Sequence, residues 1–119
     1  MPDEVRHYAL SLKNLQRFEE VRALFRKVMP AARRVLGENN AMTLCFRKMN
    51  AMALYEDAGA TLNDLPEAAT TLEDLERTAR RVFGGAHPLV AGIERNLRKA
   101  RAALRAREAR ERECNTTQN

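Results

Sequence analysis

The stretch Ala32-Arg33-Arg34-Val35-Leu36-Gly37 returns 47 residues later as Ala79-Arg80-Arg81-Val82-Phe83-Gly84. The correspondence continues backwards in register, pairing Phe18 with Leu65, Glu20 with Glu67, Val21 with Ala68, Phe25 with Leu72 and Val28 with Leu75. A period of this size is the mark of stacked supersecondary units, each of which buries its apolar face only against a neighbour. Ala, Leu, Arg and Glu dominate, Trp is absent and aromatic residues make up 5% of the chain. That composition forms helices, and 119 residues suit one domain with a modest core. The expectation is an all-α chain of about five helices stacked as αα-hairpins.

Periodicity and punctuation place those helices. A first helix is expected from about Glu4 to Leu15, with Tyr8, Leu12 and Leu15 on its core face. A second runs from Phe18 to Leu36, with Phe18, Val21, Phe25, Val28, Ala32 and Val35 spaced by threes and fours. Gly37 ends it, Arg33 and Arg34 suit the negative end of its dipole, and Pro30 either kinks it or divides it in two. The third helix, about Ala41 to Tyr55, follows a Glu38-Asn39-Asn40 connection that can supply its N-cap, and Met42, Phe46, Met49 and Ala53 form its stripe. Residues 56–64 read as a loop with a turn after Thr61. Asp64 is a candidate cap for a fourth helix over Leu65–Phe83, with Pro66 in its first turn. Its stripe is Leu65, Ala68, Leu72, Leu75, Ala79 and Val82, and Gly84-Gly85 stops it. His87-Pro88 opens a fifth helix to about Glu113, with Ile93, Leu97, Ala100 and Leu104 facing the core. The domain reading is therefore 1–104 for the repeats (units 4–37 and 38–84, terminal helix from 87) and 105–119 for a charged helical extension ending in a polar tail from Cys114.

The net charge of +5 is unevenly spread. Residues 1–93 carry 13 basic and 12 acidic side chains, whereas residues 94–119 carry 8 and 4. The acidic start Met1-Pro2-Asp3-Glu4 does not resemble a secretory signal, and no run approaches the ~18 apolar residues of a membrane span. Cys45 and Cys114 are far apart and read as reduced thiols, which points to a cytoplasmic protein. Asn115-Thr116-Thr117 forms a glycosylation triplet that carries little weight without a signal peptide.

The residues for chemistry are sparse. His87 reads as a helix-opening residue and His7 as a surface one, so no dyad with Cys45 is indicated. Glu73, Asp74 and Glu76 fall in one turn but on different faces, and Gly84-Gly85-Ala86-His87 lacks the strand and the Lys-Ser/Thr of a phosphate loop. The chain is expected to be no enzyme and to carry no cofactor or metal.

The Ala-Arg-Arg-Val-Leu/Phe-Gly endings, the His87-Pro88 opening, Asn96-Leu97, Thr43-Leu44, Arg47 and the Arg17-Phe18-Glu19-Glu20-Val21 start resemble the tetratricopeptide repeats of kinesin light chains. The resemblance spans roughly residues 8–104. Asn40-Ala41 stands in place of one His-Pro, Gln16 where an inter-helix Gly is usual, and 47 exceeds the ~34 residues of a plain repeat and matches the ~40–47 of HEAT and armadillo units. The resemblance implies a TPR-like superhelix and a protein-interaction scaffold that holds an extended, acidic or polar peptide on its concave face. It puts Met49 and Asn96 at the position of a family Asn that bonds peptide backbones, and makes Arg47, Lys48, Asn50, Asn96 and Lys99 the candidate peptide-binding residues. A short array is also expected to self-associate or to belong to a longer one. The alternative is nucleic-acid binding through the arginines of the fifth helix. Interleaved Glu94, Glu108, Glu111 and Glu113, and the lack of stacking aromatics there, weigh against it.

Overall fold

The 47-residue period survives as geometry. The computed structural model describes residues 2–118, and all regular structure among them is helical: α1 (Pro2–Asn14), α2 (Phe18–Leu36), α3 (Ala41–Glu56), α4 (Asp64–Phe83) and α5 (Pro88–Gln118). Helices α2 and α4 stop on Gly37 and Gly84, whose φ values of 96° and 86° lie in the left-handed region that only glycine enters freely. Each glycine N–H then donates to the carbonyl four residues back, on Arg33 and Arg80. Helices α3 and α5 start in matching fashion. Asn40 Oδ1 accepts from the Met42 N–H at 2.8 Å, and His87 Nδ1 accepts from the Leu89 N–H at 3.1 Å. The Asn that replaces the second His therefore satisfies the same orphan donor at the helix start.

Packing follows one rule. Each helix packs on its neighbours in the chain; α1 also packs on α3, and α3 on α5, while α2 and α4 do not pack on each other. Helix α3 thus touches all four others. It supplies Phe46, Met49 and Ala53 to one core with Ala9 and Leu12 of α1 and Val21 and Phe25 of α2. Its other side gives Leu44, Ala51, Leu54 and Tyr55 to a second core with Leu72 and Leu75 of α4 and Val90 and Ile93 of α5. Phe25 and Phe46 meet with ring centroids 5.5 Å apart, tilted at 38°, a favourable offset for two quadrupoles.

Several expectations need correction. On α1 the core face is Val5, Ala9 and Leu12, while Tyr8 and Leu15 are 55% and 65% exposed. Val5, Ala9 and Leu12 keep the helical spacing, and Tyr8 and Leu15 lie off that stripe. Val35 and Val82, last in their stripes, also face outward, because the stripe has rotated off the core by the final turn. Helix α2 is continuous through Pro30, which sits on the exposed face where water can reach the carbonyl left unbonded at Arg26. The start of α4 is held by Thr61, not by Asp64 acting alone. Thr61 Oγ1 accepts from the Asn63 and Asp64 N–H groups, and Asp64 Oδ2 accepts from the Thr61 N–H at 3.0 Å, a reciprocal capping box. The expected polar tail is helical as far as Gln118. Residues 105–115 remain mostly solvent-exposed along this extension, and the molecule measures 55 × 30 × 21 Å.

Gln16 links α1 to α2 with φ at 60°, the one positive-φ non-glycine residue among those described. A side chain there is disfavoured by about 1 kcal/mol against glycine. The Gln16→Gly variant is expected to unfold about 4 °C higher in a thermal melt. An unchanged or lower midpoint would show that the turn carries no such cost.

Candidate functional site

The three odd-numbered helices share a groove. Arg6, Leu10 and Lys13 of α1 form one wall, and Gly92, Arg95, Asn96 and Lys99 of α5 form the other. Cys45, Lys48, Met49, Met52 and Glu56 of α3 make the floor, and the groove encloses about 270 Å³. Repeat-equivalent positions meet here: Cys45 with Gly92, Lys48 with Arg95, Met49 with Asn96 and Met52 with Lys99, each pair 47 residues apart. Gly92 faces Lys48 across the gap, where a Cβ would make an ordinary contact at 3.4 Å with Lys48 Nζ.

The electrostatics are one-sided. Five cationic side chains line the groove against a single carboxylate, Glu56, and Lys13 Nζ lies 3.5 Å from that carboxylate. Arg6, Lys48, Arg95 and Lys99 form no ion pair among the described residues, and Arg6 Nε is buried without a hydrogen-bond partner. Elsewhere several arginines are paired. Arg101 meets Glu73 at 3.2 Å, Arg80 meets Glu76 at 3.5 Å and Arg77 pairs with Asp74, so the three acids of that turn serve three different arginines. An apolar strip of Leu10, Met49 and Met52 under unpaired cations suits a ligand with apolar and anionic groups side by side.

The sequence-derived candidates divide between two sides of α3. Lys48, Asn96 and Lys99 lie together in this groove. Arg47 and Asn50 lie in a different recess, with Met29 and Arg33 of α2 and Thr71 of α4. Adjacent residues of a helix are about 100° apart, so Arg47 and Lys48 line different recesses. Asn96 is also committed internally. Its side chain is 6% exposed, its Oδ1 accepts from the Tyr55 hydroxyl at 2.6 Å and its Nδ2 donates to the Gly92 carbonyl at 3.0 Å. In this structure Asn96 ties α5 to α3. Sequence reasoning missed Arg6, Lys13 and Arg95. The offset from Lys48 pointed to Arg95, whereas α1 lies outside the 47-residue correspondence and gave no such pointer for Arg6.

No protein-family model, no curated protein and no solved structure matches the chain.

Burial, and secondarily the neighbouring Glu56 carboxylate, raise the pKa of Tyr55 above the ordinary tyrosine value, so the phenol stays protonated and donates to Asn96. A raised folded-state pKa favours the fold below the unfolded value of about 10, and that contribution is lost as pH rises above it. Tyr55→Phe leaves the buried Asn96 Oδ1 without a donor and is expected to cost about 1–3 kcal/mol at neutral pH. Urea melts of both proteins from neutral pH to pH 11 check this: the deficit of the variant should shrink above about pH 10. A constant deficit would contradict the assignment.

Proposed function

We propose that the chain is a tetratricopeptide-like interaction module that is not an enzyme, and that the α1–α3–α5 groove holds an extended acidic segment of a partner protein. The observation that carries this reading is the convergence of Arg6, Lys48, Arg95 and Lys99, without acidic partners, over an apolar floor. The packing rule supports the solenoid part. In a stack of αα-hairpins the first helix of each unit touches the first helix of the next, as α1, α3 and α5 do, while the second helices, here α2 and α4, stand apart. The resemblance of the helix endings to kinesin light chain repeats supports the same reading. The α5 wall from Gly92 to Lys99 is about 10 Å long and spans roughly four residues of extended peptide. Recognition would rest on charge placement and the thioether floor, with modest affinity and a marked dependence on salt. The setting we propose is the cytoplasm, where Cys45 and Cys114 stay free, as they are here.

Fluorescence anisotropy with a short labelled acidic peptide containing one central leucine tests this. The Lys48→Glu/Lys99→Glu variant is expected to weaken binding at least about tenfold, two reversed charges at about 1 kcal/mol each sufficing. Arg47→Glu, on the other side of α3, is expected to change it less than about twofold. Equal losses in both variants, or no binding by the native chain, would sink the groove assignment.

A further inference from the structure

The recess on the other side of α3 breaks the internal symmetry of the repeat. In the second unit, Arg80 of α4 is neutralised twice, by Glu76 at 3.5 Å and by Glu94 of α5. Moving back 47 residues, Arg80 becomes Arg33, Glu76 becomes Met29 and Glu94 becomes Arg47. Both carboxylates are gone, and one has become a second guanidinium. The three residues line one recess of about 200 Å³ with Asn50 and Thr71.

The charge that unit two cancels internally is only partly balanced in unit one. Arg33 turns outward to Glu38 at 3.4 Å, a pair whose side chains are 44% and 64% exposed and which is correspondingly weak. Arg47 forms no ion pair among the described residues. Asn50 also lines the recess, and its Oδ1, an acceptor, is buried without a donor. Arg33 and Arg47, from two helices, thus line one recess with Asn50 and Thr71.

We infer that this recess is a phosphate-binding site, in which Arg33 and Arg47 hold a phosphoryl group that supplies the negative charge Glu76 and Glu94 supply in the second unit. Two guanidinium groups together carry more N–H donors than the two coplanar oxygens of a carboxylate use. A phosphate monoester offers three oxygens and a charge of about −1.5 to −2 at neutral pH. The source is either a phosphorylated residue of a partner or a small free phosphate. The inference stands apart from the groove reading, since Lys48 and Lys99 are not in this recess.

Thermal melts in sodium phosphate and in sodium chloride at equal ionic strength test it. Phosphate also stabilises proteins by exclusion from their surfaces, so the comparison between variants is what decides. Phosphate is expected to raise the midpoint of the native chain by several degrees more than that of Arg47→Gln, and Lys48→Glu is expected to keep the native response. Arg47→Glu rebuilds the Arg80–Glu94 arrangement; in chloride it should melt above the native chain, with no specific gain in phosphate. A phosphate response of the same size in native and Arg47→Gln proteins, or none in the native chain, would overturn the site. Titration with acetyl-phosphoserine-N-methylamide then separates the sources. Binding about tenfold tighter than inorganic phosphate means a phosphorylated partner, and equal binding means a free phosphate.

Discussion

Helix α3 is buried on both sides, and the arrangement of every other helix follows from that. It carries apolar residues around most of its circumference, so it cannot lie on a surface and must be enclosed. Phe46, Met49 and Ala53 draw α1 and α2 to one side, and Leu44, Ala51, Leu54 and Tyr55 draw α4 and α5 to the other. The two cores share no residue; they share a helix. The polar positions of α3 line recesses in two directions. Lys48 looks into the gap left between α1 and α5, and Arg47 and Asn50 into the gap between α2 and α4.

The repeat supplies a common frame, and departures from it carry the specificity. Where the units agree, the agreement is structural: glycine stops at Gly37 and Gly84, and side-chain caps at Asn40 and His87. Where they differ, the differences change charge or hydrogen bonding. Met49 stands opposite Asn96 in the repeat, so one unit contributes a soft apolar surface and the other an amide bound to Tyr55. Arg47 stands opposite Glu94, and an ion pair in one unit becomes a cationic recess in the other.

Much of the fold was legible because helix ends are written in local chemistry. Gly37, Gly84, Asn40 and Pro88 act within one turn of where they stand, and the helix limits they imply agree with the structure to within a residue or two at most ends. The faces of the terminal helices were less legible. On α1, Tyr8 and Leu15 looked like core by composition, yet the apolar residues that pack on the core are Val5, Ala9, Leu10 and Leu12. The extension past Leu104 has no apolar face, so nothing in its pattern marked the helix as running to Gln118. The candidate site was half legible. Charge and type picked out Lys48 and Lys99, but grouping Arg47 with Lys48 followed nearness in sequence, which a helix turns through about 100° into two recesses. That Asn96 is occupied by Tyr55 depends on a contact 41 residues distant, which no local pattern carries.

Native-state hydrogen exchange bears most directly on the central place of α3. If the two cores depend on it, the α3 amides from Leu44 to Leu54 should exchange only through global unfolding, the slowest in the molecule. The α1 amides and those beyond Leu104 should open locally and far sooner. An α3 that exchanges ahead of α4 and α5 would mean that those two helices form a unit of their own, and that the recesses on either side of α3 are not held in place by it.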